Sequence, residues 1–150
     1  MQSSPTRAYD ENTLDFFETE VLPLADLVYR LGYALTGSAP ESLSLLRKTF
    51  GTVSKEFTNF MRIRDFNMAA YLVAECWRLY TGGTRNPYQA PADSAGQLVG
   101  KLPLESRVTL FVIDVAGLTP VDAAKAFGTT EKDIRLKLAA ARRALLAVAI

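Results

Sequence analysis

The chain has 150 residues, 49% of them hydrophobic, enough apolar material for one packed domain or two small ones. Lysine and arginine number 17 against 16 acids, so overall charge does not mark a nucleic-acid binder, although a local basic patch is compatible with it. Histidine is absent and cysteine occurs once, which excludes an internal disulfide, a Ser-His or Cys-His catalytic pair and the usual ligand sets of zinc and other transition metals.

No catalytic residue, metal, cofactor or small-molecule substrate is therefore expected, and the chain does not read as an enzyme. No apolar run reaches membrane-spanning length, and MQSSPTRAYDEN lacks the hydrophobic centre of a signal peptide. The expectation is a cytoplasmic protein without membrane contact.

Helical periodicity runs along the chain without strand-like alternation. Thr13 to Leu22 places Leu14, Phe17 and Val21 on one face. After Pro23, a stripe of Leu24, Leu27, Val28, Leu31 and Leu35 ends at Gly37. Ser38 and Glu41 form a capping box, with Leu43, Leu46, Phe50, Val53 and Phe57 the expected buried seam of the helix it opens. A third helix is predicted from about Phe66 to Tyr80, capped by Asp65 and apolar nearly all round. Within it Cys76 reads as a buried thiol and Trp77 as core. Thr81 to Gln97 reads as a linker, and TGGTRNP within it follows a helix rather than opening one, unlike a phosphate loop.

Pro103 opens a helix carrying Leu104, Val108, Phe111 and Val115 and ending at Gly117. Thr119 and Thr130 head two further capping sequences, and Gly128 is the turn between them. The last helix runs nearly to Ile150. At about 100° per residue, Ile134, Leu138, Ala141, Leu145 and Val148 face inward. The prediction is an all-α fold: a helical domain over 1–80, a linker over 81–97 and a helix-turn-helix domain over 98–150.

Leu102-Pro103, Arg107, Gly117-Leu118-Thr119, Asp122-Ala123-Ala124, Gly128, Ile134-Arg135, Leu138, Ala141-Arg142 and Leu145 follow a specific pattern. In order and spacing it resembles the promoter-reading domain of sigma-70-type transcription initiation factors, especially the extracytoplasmic-function group. Tyr29 to Gly37, Thr49-Phe50 and Tyr71 to Tyr80 resemble, more faintly, that group's other conserved domain. The resemblance implies a protein that binds core RNA polymerase and promoter DNA. It points to DNA contacts from Thr130, Lys132, Arg135, Leu136, Lys137, Ala139, Arg142 and Arg143, with the cations on phosphates.

The chain departs from that pattern on two surfaces. In the second helix the group carries Glu-Asp-Leu-Val-Gln-Glu-Thr-Phe, whose acids meet a basic surface of polymerase. Here Ser44 and Lys48 replace acids and Arg47 replaces the glutamine, so the usual grip on polymerase is expected to be weakened or built differently. On the last helix, Leu136, Ala139 and Leu146 stand where base reading wants polar side chains. Exposed leucines among cations suit a protein partner.

A sigma mimic that binds an anti-sigma factor is thus the second reading, with Ser44, Arg47, Lys48, Leu136 and Leu146 as candidate partner contacts. In general-stress-response mimics, a sigma-like domain is fused to a phosphoreceiver domain, for which this chain has no room. That puts the sigma-factor reading first.

Overall fold

The computed structural model describes residues 11–60, 66–83, 87–89 and 100–149, and there is no strand among them. Helix α1 (Glu11–Phe16) runs through a π turn (Phe17–Val21) and a 3-10 turn (Leu22–Leu24) into α2 (Ala25–Thr36). Next come α3 (Ala39–Phe60) and α4 (Met68–Gly82). Then α5 (Leu104–Leu110) passes into a π turn (Phe111–Val115) and is followed by α6 (Pro120–Phe127) and α7 (Glu131–Ala149). The all-α expectation holds.

Short polar caps and glycines set the helix ends. Gly37 ends α2 in the left-handed region at φ 69°, its N–H donating to the Tyr33 carbonyl at 2.7 Å. Thr119 Oγ1 accepts from the Asp122 amide at 3.1 Å to start α6, and Gly128 ends it at φ 68°. Thr130 Oγ1 accepts from the Asp133 amide at 3.1 Å to start α7. Replacing Thr130 with alanine strips that cap, and urea denaturation should show a loss of about 1 kcal/mol.

The buried residues form one cluster that spans both expected units. Val28, Leu31, Leu35, Val53, Leu72, Val73 and Cys76 join Val108, Val112, Leu118, Ala123, Ala124 and Ile134 in it. Helix α4 packs on α6, and α2 packs on α5. Trp77 meets the Phe127 ring edge-on at 5.2 Å, and Asn67 Nδ2 donates to Asp122 Oδ2 at 3.0 Å. The core role read for Trp77 is thus a contact between the two halves.

Several local expectations are corrected. The buried side of α3 is turned by about one residue: Ser42, Leu45, Thr49 and Val53 are buried, whereas Leu43 is exposed and Leu46 and Phe50 are half-buried. The cause is a close α2–α3 crossing. Ser42 Oγ donates to the Tyr29 carbonyl at 2.5 Å, and a β-carbon on Gly32 would lie 2.8 Å from that oxygen. Small residues let the two backbones approach and draw Ser42 inward.

Val115, expected in the core, is exposed, because the π turn adds residues to the last turn of α5 and moves the buried register to Val112. Leu14 is exposed as well, while Phe16 and Val21 face the core. Helix α4 starts at Met68 with Asn67 as its cap, whose Oδ1 accepts from the Ala70 amide at 3.0 Å. Asp65 lies outside the described residues, as do the side chains of Phe17, Phe57 and Val148. The helix also runs on through Thr81 and Gly82, which were read as linker. At α3, the Ser38 hydroxyl accepts from the Glu41 amide at 3.4 Å, but the Ser38 amide donates to Thr36 Oγ1 and Glu41 accepts from the Gln89 side chain.

Cys76 is buried as expected, and burial pushes its thiol up to about 12, against a smaller opposing effect of a hydrogen bond with Thr49. At pH 8 the folded protein should therefore react with a thiol reagent only as fast as it opens, and at once when denatured. Rapid reaction of the native protein would contradict this burial.

Candidate functional site

Two features determine what the surface can bind. The first is a clasp between the halves. The carbonyls at the end of α2 need donors, because no further turn of helix supplies them. Arg107, at the core register of α5, provides them: Nε donates to the Ala34 carbonyl at 2.6 Å and Nη2 to that of Leu35 at 3.3 Å. Its Nη1 donates to the Leu102 carbonyl at 3.0 Å.

The Arg107 side chain lies against the Tyr88 ring, 4.2 Å from the centroid. Residue Arg107 is 5% exposed. Burial lowers its pKa, with Tyr88 pulling the other way, yet a guanidinium stays charged under such a shift. The neighbouring Gln89 amide donates to the Thr36 carbonyl at 2.9 Å. One arginine and a short strap, 87–89, thus tie α2 to α5.

The second feature is α7. The seam faces inward as expected, with Ile134, Leu138 and Ala141 buried and Leu145 half-buried. The cations are placed less simply. Arg135 pairs with Glu131 at 2.5 Å, Lys137 with Asp133 at 2.8 Å and Glu105 at 2.9 Å, and Arg142 with Asp114 at 2.5 Å. Asp133 in turn is held below its ordinary range by Lys137 first and then by Thr129, and Asp133 and Glu105 raise Lys137. Asp114 raises Arg142. Lys132 and Arg143 are exposed and make no ion pair among the described residues.

Around the outward side stand Lys132, Leu136, Ala139, Ala140, Arg143, Leu146 and Ala147. Leu136 is 60% exposed and Leu146 64%. Thr130 serves as the cap. Four carboxylates thus offset three of the five cations, and the remaining two, Lys132 and Arg143, stand among alanines with Leu136 and Leu146 to either side.

Ser44 and Lys48 lie elsewhere, in a cleft with Thr36, Glu41, Leu79 and Tyr80 between α3 and the end of α4. Ser44 is half-buried, and Arg47 and Lys48 are exposed. The structure therefore gathers the α7 residues on one face and keeps the α3 trio apart from them.

Arg107 stands in the sigma-like motif with no task legible from sequence, and Tyr88, Glu105 and Asp114 enter the site only through the fold. A lone arginine among the apolar residues of LESRVTLFVI was the available signal for the first. Nothing local marks the others, whose partners lie far along the chain. Among the described residues, no three His, Cys, Asp or Glu side chains gather to hold a metal ion, and no helix is long and apolar enough to cross a membrane.

No family model matches the chain, and no curated protein matches it in sequence. Solved structures do match in shape. The sigma factor RpoE of Bartonella quintana, in complex with the anti-sigma factor NepR, superposes with a TM-score of 0.73 at 16% identity, covering 86% of this chain and 93% of that one. The PhyRSL–NepR complex of Sphingomonas sp. Fr1 gives 0.69 at 19% identity, with 87% of each chain covered. The chain has the all-helical fold of these two proteins, in a sequence that shares less than a fifth of its residues with either.

Proposed function

We propose that the protein is a sigma-like regulatory module that captures an anti-sigma factor rather than reading a promoter. The observation that carries this reading is the outward side of α7, where Leu136 and Leu146 are exposed to either side of Arg143 and where Arg135, Lys137 and Arg142 are engaged with acids of the same chain. Base edges offer hydrogen-bonding groups that leucine and alanine cannot meet. The acids beside α7 also weaken the positive field that phosphates require. Both structural neighbours were solved with NepR, named in the first case as an anti-sigma factor.

A second reading, a sigma factor that brings polymerase to promoters, keeps support from the helix-turn-helix caps and from Lys132 and Arg143, which make no ion pair among the described residues. Size-exclusion chromatography separates the two. The purified chain is mixed with core RNA polymerase and, separately, with an anti-sigma factor from the same cell. Co-elution with the anti-sigma factor alone is expected, and stable co-elution with core polymerase would sink the capture reading.

A further inference from the structure

The first three helices carry two exposed surfaces of opposite charge. The outer side of α1 and of the turns after it presents Leu14, Asp15, Glu18, Glu20 and Leu22, all exposed, while Phe16 and Val21 face the core. No lysine or arginine occurs from Glu11 to Tyr29. Glu18 stands four residues from each leucine, so one acid lies between two apolar side chains along the same side.

On α3, Leu43, Arg47, Gly51 and Lys55 are all exposed and recur every four residues, which makes them one surface ridge, with exposed Lys48 beside it. From Arg47 to Lys55 is roughly 12 Å. A β-carbon on Gly51 would meet nothing within 4 Å, so the ridge has an open notch midway between the two cations. The acids of α3 lie off this ridge. Glu41 is in the first turn, where it accepts from Gln89, and Glu56 stands about a quarter turn from Lys55.

Asp15, Glu18, Glu20, Arg47, Lys48 and Lys55 make no ion pair among the described residues, whereas Arg30, Arg78, Arg135, Lys137 and Arg142 are each paired within the chain. An acidic surface with exposed leucines and a basic one with an exposed leucine and a notch are thus complementary, yet no ion pair joins them in one molecule.

We propose that these surfaces pair between two copies of the chain, α1 of each lying across α3 of the other. Glu18 enters the notch at Gly51, between Arg47 and Lys55, and a flanking leucine covers Leu43. A two-fold arrangement uses both surfaces of both chains and closes at two. Exposed ion pairs are individually weak, so the association is reversible and salt-sensitive. It is independent of anti-sigma capture. A nucleic acid would use the cations of α3 but would leave Leu14, Leu22 and Leu43 in water and the acids of α1 without a role.

Analytical ultracentrifugation of the full chain tests the pairing. In about 0.05 M salt the mass is expected to rise with concentration and level off at two chains, and in about 0.5 M salt to return to one. Arg47→Glu with Lys55→Glu should weaken pairing about tenfold or more, and Asp15→Lys with Glu18→Lys should do the same. Mixing these two variants should restore it, because the acidic α3 of one then meets the basic α1 of the other, and the unchanged surfaces also match. All four side chains are exposed, so melting temperatures should stay close to the parent's. A chain that stays single at every concentration in low salt, pairing that survives the α1 changes, or variants that do not associate when mixed would each overturn the proposal.

Discussion

Replacing Arg107 with alanine is expected to lower the unfolding free energy by roughly 3 kcal/mol, because hydrogen bonds from a charged donor to buried carbonyls are worth more than ordinary ones, although the Leu35 carbonyl keeps the Tyr80 hydroxyl as a donor at 3.4 Å. For a chain of this size, that loss lowers the melting temperature by about 6–12 °C. Three carbonyls, on Ala34, Leu35 and Leu102, lose their guanidinium donor at once. A buried cation is costly in itself, and an apolar substitute often relieves that cost. Here relief is small, since the charge sits at the carbonyl end of α2, where the helix dipole favours it.

Arg107→Met should therefore also destabilise, and Arg107→Lys should recover less than half, because one ammonium cannot reach three diverging carbonyls. Calorimetry checks the order. A methionine variant as stable as the parent would show that the clasp adds nothing to stability.

Gly37→Ala is the second large effect, with an expected loss of about 2–3 kcal/mol. Two penalties combine. The position has φ 69°, which L side chains adopt at a cost, and an added β-carbon would overlap the Gln89 carbonyl. That contact is with backbone, so relief requires the 87–89 strap to leave α2, together with the Gln89 hydrogen bond to Thr36. Gly128→Ala provides the comparison. Its φ is 68°, but nothing lies within 4 Å of the added carbon, so about 1 kcal/mol is expected. If urea denaturation gives equal losses at the two glycines, the strap is not held against α2 as described.

These two positions show where the sequence could be read and where it could not. Helix ends at Gly37, Gly128, Thr119 and Thr130 are written in local residue types, because each cap is satisfied within a few residues. The inner seam of α7 was legible for the same reason: one helix, one period. The α3 seam was misplaced because Ser42 is polar, and its burial depends on a carbonyl of α2 and on Gly32 opposite. Val115 was misplaced because a π turn changes the period without changing composition.

The candidate site was half legible. Exposed Leu136 and Leu146 were foreseen from helical angle. The ion pairs of Arg142 with Asp114 and Lys137 with Glu105 depend on how α5 crosses α7, which no local pattern encodes. Arg107 stood in a recognised motif, yet its acceptors are more than seventy residues away in sequence on α2.

The clasp bears on function through geometry. Arg107, Tyr88 and Gln89 hold α2 against α5, so α7 is presented at a fixed position relative to the first four helices. A preorganised surface loses less freedom when it binds one partner. Polymerase docking and promoter reading by separate halves would instead require the shared core to part.

We propose that this fold acts by occupying an anti-sigma factor. The most direct test titrates the chain into a preformed complex of a sigma factor with its anti-sigma factor and follows transcription by added core polymerase from that sigma factor's promoter. Transcription should rise with each addition and level off at one chain per anti-sigma molecule, with none when the chain replaces the sigma factor. Transcription driven by the chain and polymerase alone, or no release at saturating chain, would contradict the account.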